Sequence, residues 1–344
     1  MRSLASPTYC PKDILIKVHA ATIMTGDALM ASGKMKMLAG KTEFPVKLGI
    51  KAAGVVVAIG TAVTTMRPGD AVYGMAMARP MDYAVTPGFC SEYAVGREDL
   101  FLPKPAHVPF EDAAALLGNV LTAVQSIELG MRLLGVDSLQ GKTVFVPGAL
   151  SATGSAGVQL LKAAYGAEKV ISTVSTPKVP LVDRYLPAGT VDQVVDYKTT
   201  KRLTDAVPAG SVDFVYNAQW ALASAIPLLN RDRGVVVSVA SIPPPSLLRQ
   251  MMRKPLPFYV LWAAGLVQWW YAWKLWGTNV KLDFVSGNAG VREDLEKAGE
   301  MIALGKVRAL ANVVKLDDIG AVREACEKVY AVKGGIGSLV VKIV

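Results

Sequence analysis

A chain of 344 residues, 52% hydrophobic and 19% charged, has the balance of a folded globular protein, either two domains or one large α/β body. Its net charge of +9, from 37 Lys and Arg against 28 Asp and Glu, is scattered rather than gathered into a basic stripe between aromatics, so a nucleic-acid surface is not expected. Cys10, Cys90 and Cys326 lie far apart without CxxC spacing, which argues against a disulfide framework and a structural zinc lobe and for reduced cysteines in the cytoplasm.

The opening MRSLASPTYCPKD lacks the apolar core of a signal peptide. Residues 12–21 and 53–59 read as strands, Arg67-Pro68-Gly69-Asp70 as a turn delivering AVYG, and Phe89–Val95 as another short strand. This β-rich third gives way at Pro109 to FEDAAALLGNVLTAVQSIEL, with acids in its first turn and apolar residues at helical spacing. Six short apolar runs follow, at 143–147, 170–174, 192–196, 213–217, 234–240 and 280–285, separated by helical or loop segments. Buried strands with helical crossovers make a doubly wound parallel sheet. A helix over Glu293–Leu304 and two strands ending GGIGSLVVKIV close the chain.

The run VFVPGALSATGSAGVQLLKAAYGAEKVISTVST carries the most chemistry. An apolar strand breaks into a small-residue turn, Gly148 to Gly154, followed by a helix and a second strand. Such a turn lets backbone N–H groups at a helix N-terminus approach a pyrophosphate. The frame reads Gly148-x-x-Ser151-x-x-Gly154, one glycine short of the usual dinucleotide fingerprint. Val158, Leu161 and Tyr165 are expected to form the face of the helix that meets the sheet. After the second strand come Ser175, Thr176 and Lys178, with no acid before Asp183. Two hydroxyls and an ammonium favour a 2′-phosphate, hence NADPH over NADH. Tyr197, after the third strand, can flank the same adenosine end.

One stretch stands apart. PLPFYVLWAAGLVQWWYAWKLWG, residues 255–277, holds five of the six tryptophans and a single charge, Lys274. Three readings apply: a helix packed over a pocket or subunit interface, peripheral contact with a membrane surface, and a membrane span.

With these pieces placed, the chain resembles the medium-chain dehydrogenase/reductase superfamily, on its zinc-free side of quinone oxidoreductases and alkenal or enoyl reductases. VHAATIMTGDALMASG with Asp27, Gly54-Val-Val-Val-Ala-Ile-Gly60, Pro68-Gly69-Asp70-Ala-Val-Tyr73-Gly74, Phe89-Cys-Ser-Glu-Tyr93, Leu121-Thr122-Ala123 and GGIGSLVVKI carry the likeness. LSATGSAGVQLLK before KVISTVST looks especially like a fungal-type subgroup. The resemblance implies a GroES-like β-rich catalytic domain, 1–117 with 291–344, and a Rossmann domain, 118–290, with a Trp-rich insertion at 255–277. The family's opening strand and hairpin do not appear in the sequence.

The positions where zinc alcohol dehydrogenases carry ligands read Met24-Thr25-Gly26 and Gly49-Ile50-Lys51, and only His19 and His107 exist. A catalytic zinc is not expected. Cofactor contacts are implied at Gly148, Ser151, Ala152, Thr153, Gly154, Ser175, Thr176, Lys178, Tyr197, Asn217, Ala240, Ser241, Phe284, Val285 and Ser286. A substrate pocket is implied at Met24, Thr25, Tyr93, Asn119 and Trp262. Thr122 is implied at the nicotinamide end. Tyr73 is the first choice of donor to a substrate oxygen, or else a core aromatic. Lys51 stands where the family has an acid, and reads either as an anchor for a substrate oxygen or as a surface lysine.

Without a metal, hydride transfer to an activated C=C is the chemistry that needs least help, because the substrate's own carbonyl takes up charge as an enolate. The expectation is an NADPH-dependent reductase of an enone or enoyl substrate, apolar and aromatic or polyketide-like. The alternatives are a quinone oxidoreductase and a non-catalytic NADPH-binding protein. A homodimer through the edge strand near 280–285 is implied by the family alone.

Overall fold

The computed structural model describes residues 10–33, 46–78, 88–252, 255–331 and 335–344. They form two units. One takes its described residues from Met1–Gly118, Asn288–Ala303 and Ala311–Val344, and the other from Asn119–Gly287 and Leu304–Leu310.

The first unit is built on a seven-stranded sheet. β1 (Asp13–Ile23) alternates partly and fully buried positions along DILIKVHA, the period of a half-covered strand. It pairs antiparallel with β2 (Lys51–Ile59), β4 (Tyr93–Arg97) and β13 (Ser338–Lys342). β3 (Ala71–Met75), β5 (Phe101–Pro103) and β12 (Ala311–Lys315) extend the order to β12-β13-β1-β2-β3-β5, with β4 off that path. The strand expected at Phe89–Val95 begins only at Tyr93. Phe89 and Cys90 instead sit in a bend whose amides donate to the Gly49 and Leu48 carbonyls. Among the helices are α1 (Thr25–Ala31) and the first residues of α2 (Phe110–Leu134).

By length and composition α2 could cross a membrane, but 78% of its apolar window is buried inside the protein, as in a core helix. It reaches Leu134 because 25 residues run from an acid-bearing first turn to Arg132 in the last, without a proline.

The second unit carries six parallel strands: β6 (Thr143–Pro147), β7 (Lys169–Val174), β8 (Gln193–Asp196), β9 (Phe214–Asn217), β10 (Val235–Ser238) and β11 (Lys281–Phe284). Each lies within or one residue from an apolar run read in the sequence. Their order, β8-β7-β6-β9-β10-β11, is the 3-2-1-4-5-6 arrangement of a doubly wound dinucleotide fold, and the order in which strands are added reverses between β6 and β9. α3 (Ala152–Ala163) covers the sheet through Val158, Leu160 and Leu161, all fully buried. Tyr165 does not belong to that face: the helix has ended, and the Tyr165 hydroxyl donates to Glu128.

Two short helices, α4 (Pro245–Met251) and α5 (Phe258–Lys274), precede β11. In the first unit, α6 (Arg292–Ala303) occupies the segment read as helical. α7 (Ile319–Tyr330) fills a stretch read only as a connection between strands. Its signal was present: Asp318 caps the Ala321 amide, and Val322, Ala325, Cys326 and Val329 recur at helical spacing against the core.

Candidate functional site

The turn after β6 is held by the strand beside it. The Gly148 amide donates to both the carbonyl and the hydroxyl of Thr173, and the Ala149 amide to the same carbonyl. Gly148 sits at φ +82, and a Cβ there would strike the Gln219 side chain at 2.8 Å. At Gly154 a Cβ would collide with the Gly148 carbonyl oxygen and the Ser151 hydroxyl. Ser151, in place of the middle glycine, is the N-cap of α3, its Oγ accepting from the Gly154 amide at 3.1 Å. That bond uses the hydroxyl oxygen as an acceptor and leaves its O–H able to donate to a phosphate oxygen. The amides of Ala152 and Thr153, first in the helix, have no acceptor within it and carry the positive end of its dipole.

Polar side chains gather at the C-terminal ends of β9 and β10. Asn217, fully buried, donates through Nδ2 to Ser238 Oγ at 2.8 Å and to the Ala240 carbonyl at 3.2 Å. Ser238 Oγ lies 2.6 Å from Ser241 Oγ, and Ser241 reaches the Tyr271 hydroxyl. Among the described residues the Tyr216 hydroxyl, one residue earlier on β9, is buried without a hydrogen-bond partner, and within this cluster Asn217 Oδ1 is the other such atom. Such an orphan costs free energy unless something completes it. It lies beside the reversal of strand order, where dinucleotides bind in this topology. An orphaned acceptor and a turn that excludes a Cβ both fit a nicotinamide dinucleotide. Ser238, Gln219 and Tyr271 carry no local signal in the sequence, because their roles depend on partners brought in by the tertiary fold.

Thr122, on α2, packs its hydroxyl against Gly287, where a Cβ would lie 2.5 Å from Oγ1, and Gly287 follows Val285 and Ser286 directly. The Val285 amide donates to the Ser238 carbonyl, and Phe284 packs on the core of this unit. Thr122, Phe284, Val285 and Ser286 thus belong to the same unit as Asn119, Ala240 and Ser241.

At the far end of β7, Ser175 precedes a 3-10 turn holding Thr176 and Lys178. The sequence has no acid between Ser175 and Asp183, yet register brings one in. Asp196, opposite Val174, receives hydrogen bonds from Thr176, Thr199 and the Lys198 amide, which hold its carboxyl below the usual range. Tyr197 is half exposed, and the Lys198 ammonium stands 5.4 Å from its ring centre.

In the first unit the expectation of a surface lysine at 51 is overturned. Lys51 is 1% exposed, and its ammonium donates to the Ala115 carbonyl at 3.2 Å. Burial pulls its pKa down to about 7, against the opposing charge of Asp27. Asp27 is also buried. Its carboxylate accepts from the Met24 and Gly49 amides, each at 2.8 Å, and burial pushes it up to about 6. Two buried charges are thus held largely by backbone.

Tyr73 is buried too, with its hydroxyl 3.3 Å from where a Cβ on Gly299 of α6 would stand, and burial raises its pKa well above the ordinary phenol value. That placement is of a core aromatic.

Met24 joins Met30, Ile50 and Met77 in a methionine-rich cluster, while Thr25 and Tyr93 are exposed. Trp262 does not line an enclosed pocket: it is 66% exposed on the outer side of α5. The cysteines are free, and burial pushes Cys90 up to about 12. Among the described residues no three His, Cys, Asp or Glu side chains converge as a metal site.

Residues 10–106 match the alcohol dehydrogenase GroES-like domain. The chain is 32% identical over 243 residues to a 2-methylene-furan-3-one reductase of Solanum lycopersicum, covering 71% of this chain and 59% of that protein. A chloroplastic NADPH-dependent alkenal/one oxidoreductase of Arabidopsis thaliana matches with the same identity and coverage. The chain therefore spans about three-fifths of the length of these two relatives. The structure of a quinone oxidoreductase from Coxiella burnetii superposes with a TM-score of 0.72 at 22% identity, covering 99% of this chain and 93% of that one. Residues 10–106 thus carry a GroES-like domain, and with a parallel sheet of dinucleotide-binding order the chain is similar to reductases of the medium-chain dehydrogenase/reductase superfamily.

Proposed function

We propose that this protein is an NADPH-dependent reductase of activated C=C bonds in enones or enoyl compounds. The observation that carries the nucleotide half is the orphaned Asn217 Oδ1 beside a turn too tight for a Cβ. The substrate half is supported by relatives whose names describe reduction of a methylene-furanone and of alkenals or alkenones.

When bound, NADPH supplies hydride to the β-carbon of the substrate. The chain's own part is placement. The Ala152 and Thr153 amides hold the pyrophosphate, with Gly148 and Gly154 allowing close approach. Asn217 accepts a donor from the nucleotide, and Ala240, Ser241, Thr122 and the Phe284–Ser286 strand end orient the nicotinamide. Ser175, Thr176, Lys178 and Tyr197 take the adenosine end. Preference for the 2′-phosphate rests on Lys178, reinforced by Lys198, against an Asp196 carboxylate already occupied by three donors. Met24, Thr25, Tyr93 and Asn119 are proposed for the substrate side. Lys51 acts there through the charge it holds beside Asp27, as a positioning group.

The rival chemistry is quinone reduction, and the rival class is nucleotide binding without turnover. Mixing the protein and NADPH with a panel of enones and quinones separates all three. A saturated ketone supports the proposal, a hydroquinone the first rival, and tight binding with no oxidation the second. We further propose a reducing compartment, on the three free cysteines, and a dimer through β11, an edge strand of the sheet among the described residues.

A further inference from the structure

We propose that the outer face of α5 docks on an anionic lipid surface, lying in its headgroup region without crossing it. Tyr259, Trp262, Leu266, Trp269, Trp273 and Trp276 follow one another at alternating steps of three and four residues, and every one is exposed. Trp269 is 68% and Trp276 83% exposed. Opposite them, Ala264 and Tyr271 are buried, Val267 and Trp270 pack on the core of the second unit, and Gln268 donates to the Ile242 carbonyl. The helix is thus fixed by one face and offers the other. At 17 residues it is shorter than the ~20 residues a span requires.

A continuous aromatic stripe facing water marks an interaction surface, and Trp and Tyr rings favour the depth of lipid headgroups. Charge selects the occupant. Between Asp232 and Asp283 the sequence has no acid and six cations, Arg233, Arg249, Arg253, Lys254, Lys274 and Lys281. Arg233 is paired with Asp213 and the Lys281 ammonium donates to the Leu133 carbonyl, whereas Arg249 and Lys274 are exposed. The Lys274 ammonium stands 5.6 Å from the Trp270 ring and 5.3 Å from the Trp273 ring, a cation beside the aromatics. Anionic headgroups complement this region. A second copy would not, because a two-fold contact through α5 sets the same cations against each other.

Flotation of the full chain with vesicles tests the idea. Phosphatidylcholine mixed with phosphatidylserine should carry the protein upward, with a blue shift of Trp emission, and added salt should release it. Phosphatidylcholine alone should not carry it. The triple variant Trp269→Ser, Trp273→Ser, Trp276→Ser should lose at least about tenfold in partitioning. Arg249→Gln and Lys274→Gln should each lose about fivefold. Because the changed side chains are exposed, the Tm of each variant should stay within a few degrees of the parent. Three results overturn the proposal: no flotation with either vesicle, equal flotation with both, or a solution dimer that the triple variant abolishes while lipid binding is absent.

Discussion

Two buried polar assemblies in this molecule are built on opposite plans. At the ends of β9 and β10, Asn217, Ser238, Ser241 and the Ala240 carbonyl satisfy one another except for one acceptor, Asn217 Oδ1. In the first unit, Asp27 has both its oxygens on backbone amides and Lys51 has a carbonyl. The first assembly leaves one acceptor without a partner from the described residues. The second is closed on its own backbone. An orphaned polar atom is a better guide to a ligand than a buried charge, because a buried charge must be partnered for the chain to fold at all.

The sharpest way to break that contrast is at the turn. Gly154→Val forces a side chain into the Gly148 carbonyl, a clash with backbone that cannot rotate away, so NADPH affinity should fall by more than a hundredfold, with about 2–3 kcal/mol of lost stability. Fluorescence titration and urea unfolding read the two. An affinity within threefold of the parent would detach the nucleotide from this turn.

On the closed side, Asp27→Ala leaves the Met24 and Gly49 amides without their acceptor, costing about 2–4 kcal/mol in denaturant unfolding. The same pair gives the first unit a pH signature. Folded Asp27 keeps a proton up to about 6, whereas an unfolded aspartate loses it near 3.8, so its contribution to stability falls as pH rises between these values. Folded Lys51 releases its proton near 7 and an unfolded lysine near 10.5, so stability rises with pH across that window. Lys51→Met should remove the alkaline rise, seen as a flatter Tm-versus-pH curve. If kcat/KM also stays within about threefold, the positioning role of Lys51 is gone.

The incomplete assembly can be sharpened by Asn217→Ala, expected to weaken NADPH about tenfold. Lys178→Ala should lower the preference for NADPH over NADH by about tenfold while leaving NADH binding unchanged. Equal loss for both nucleotides would assign Lys178 to the shared part of the molecule. The smallest effect is expected from Tyr73→Phe. Its hydroxyl lies in the core at Gly299, so kcat/KM should stay within about threefold, and a hundredfold loss would restore it as the donor to substrate.

Much was legible in the sequence because it is local. Turn chemistry at Gly148–Gly154, the strand–helix alternation after Pro109 and the apolar runs of β6 to β11 each need only neighbouring residues. α7 is legible by the same rule, through Asp318 and the Val322–Val329 spacing. Register and burial were not legible. Asp196 reaches Thr176 because β8 pairs with β7 so that it faces Val174. Lys51 is buried because β2 sits in mid-sheet beside α2, where its ammonium finds the Ala115 carbonyl.

The α5 stripe divides the same way. Its 3-4 spacing of aromatics stands in the sequence, but that spacing is equally that of a core helix. Only packing decided which face turned inward, through Tyr271 and Ala264, and which was left to solvent. Period and turn chemistry belong to a few consecutive residues. Which side chain meets which partner across a sheet, and which face is covered, is settled by distant segments competing for the same core, and no single window of sequence holds that information.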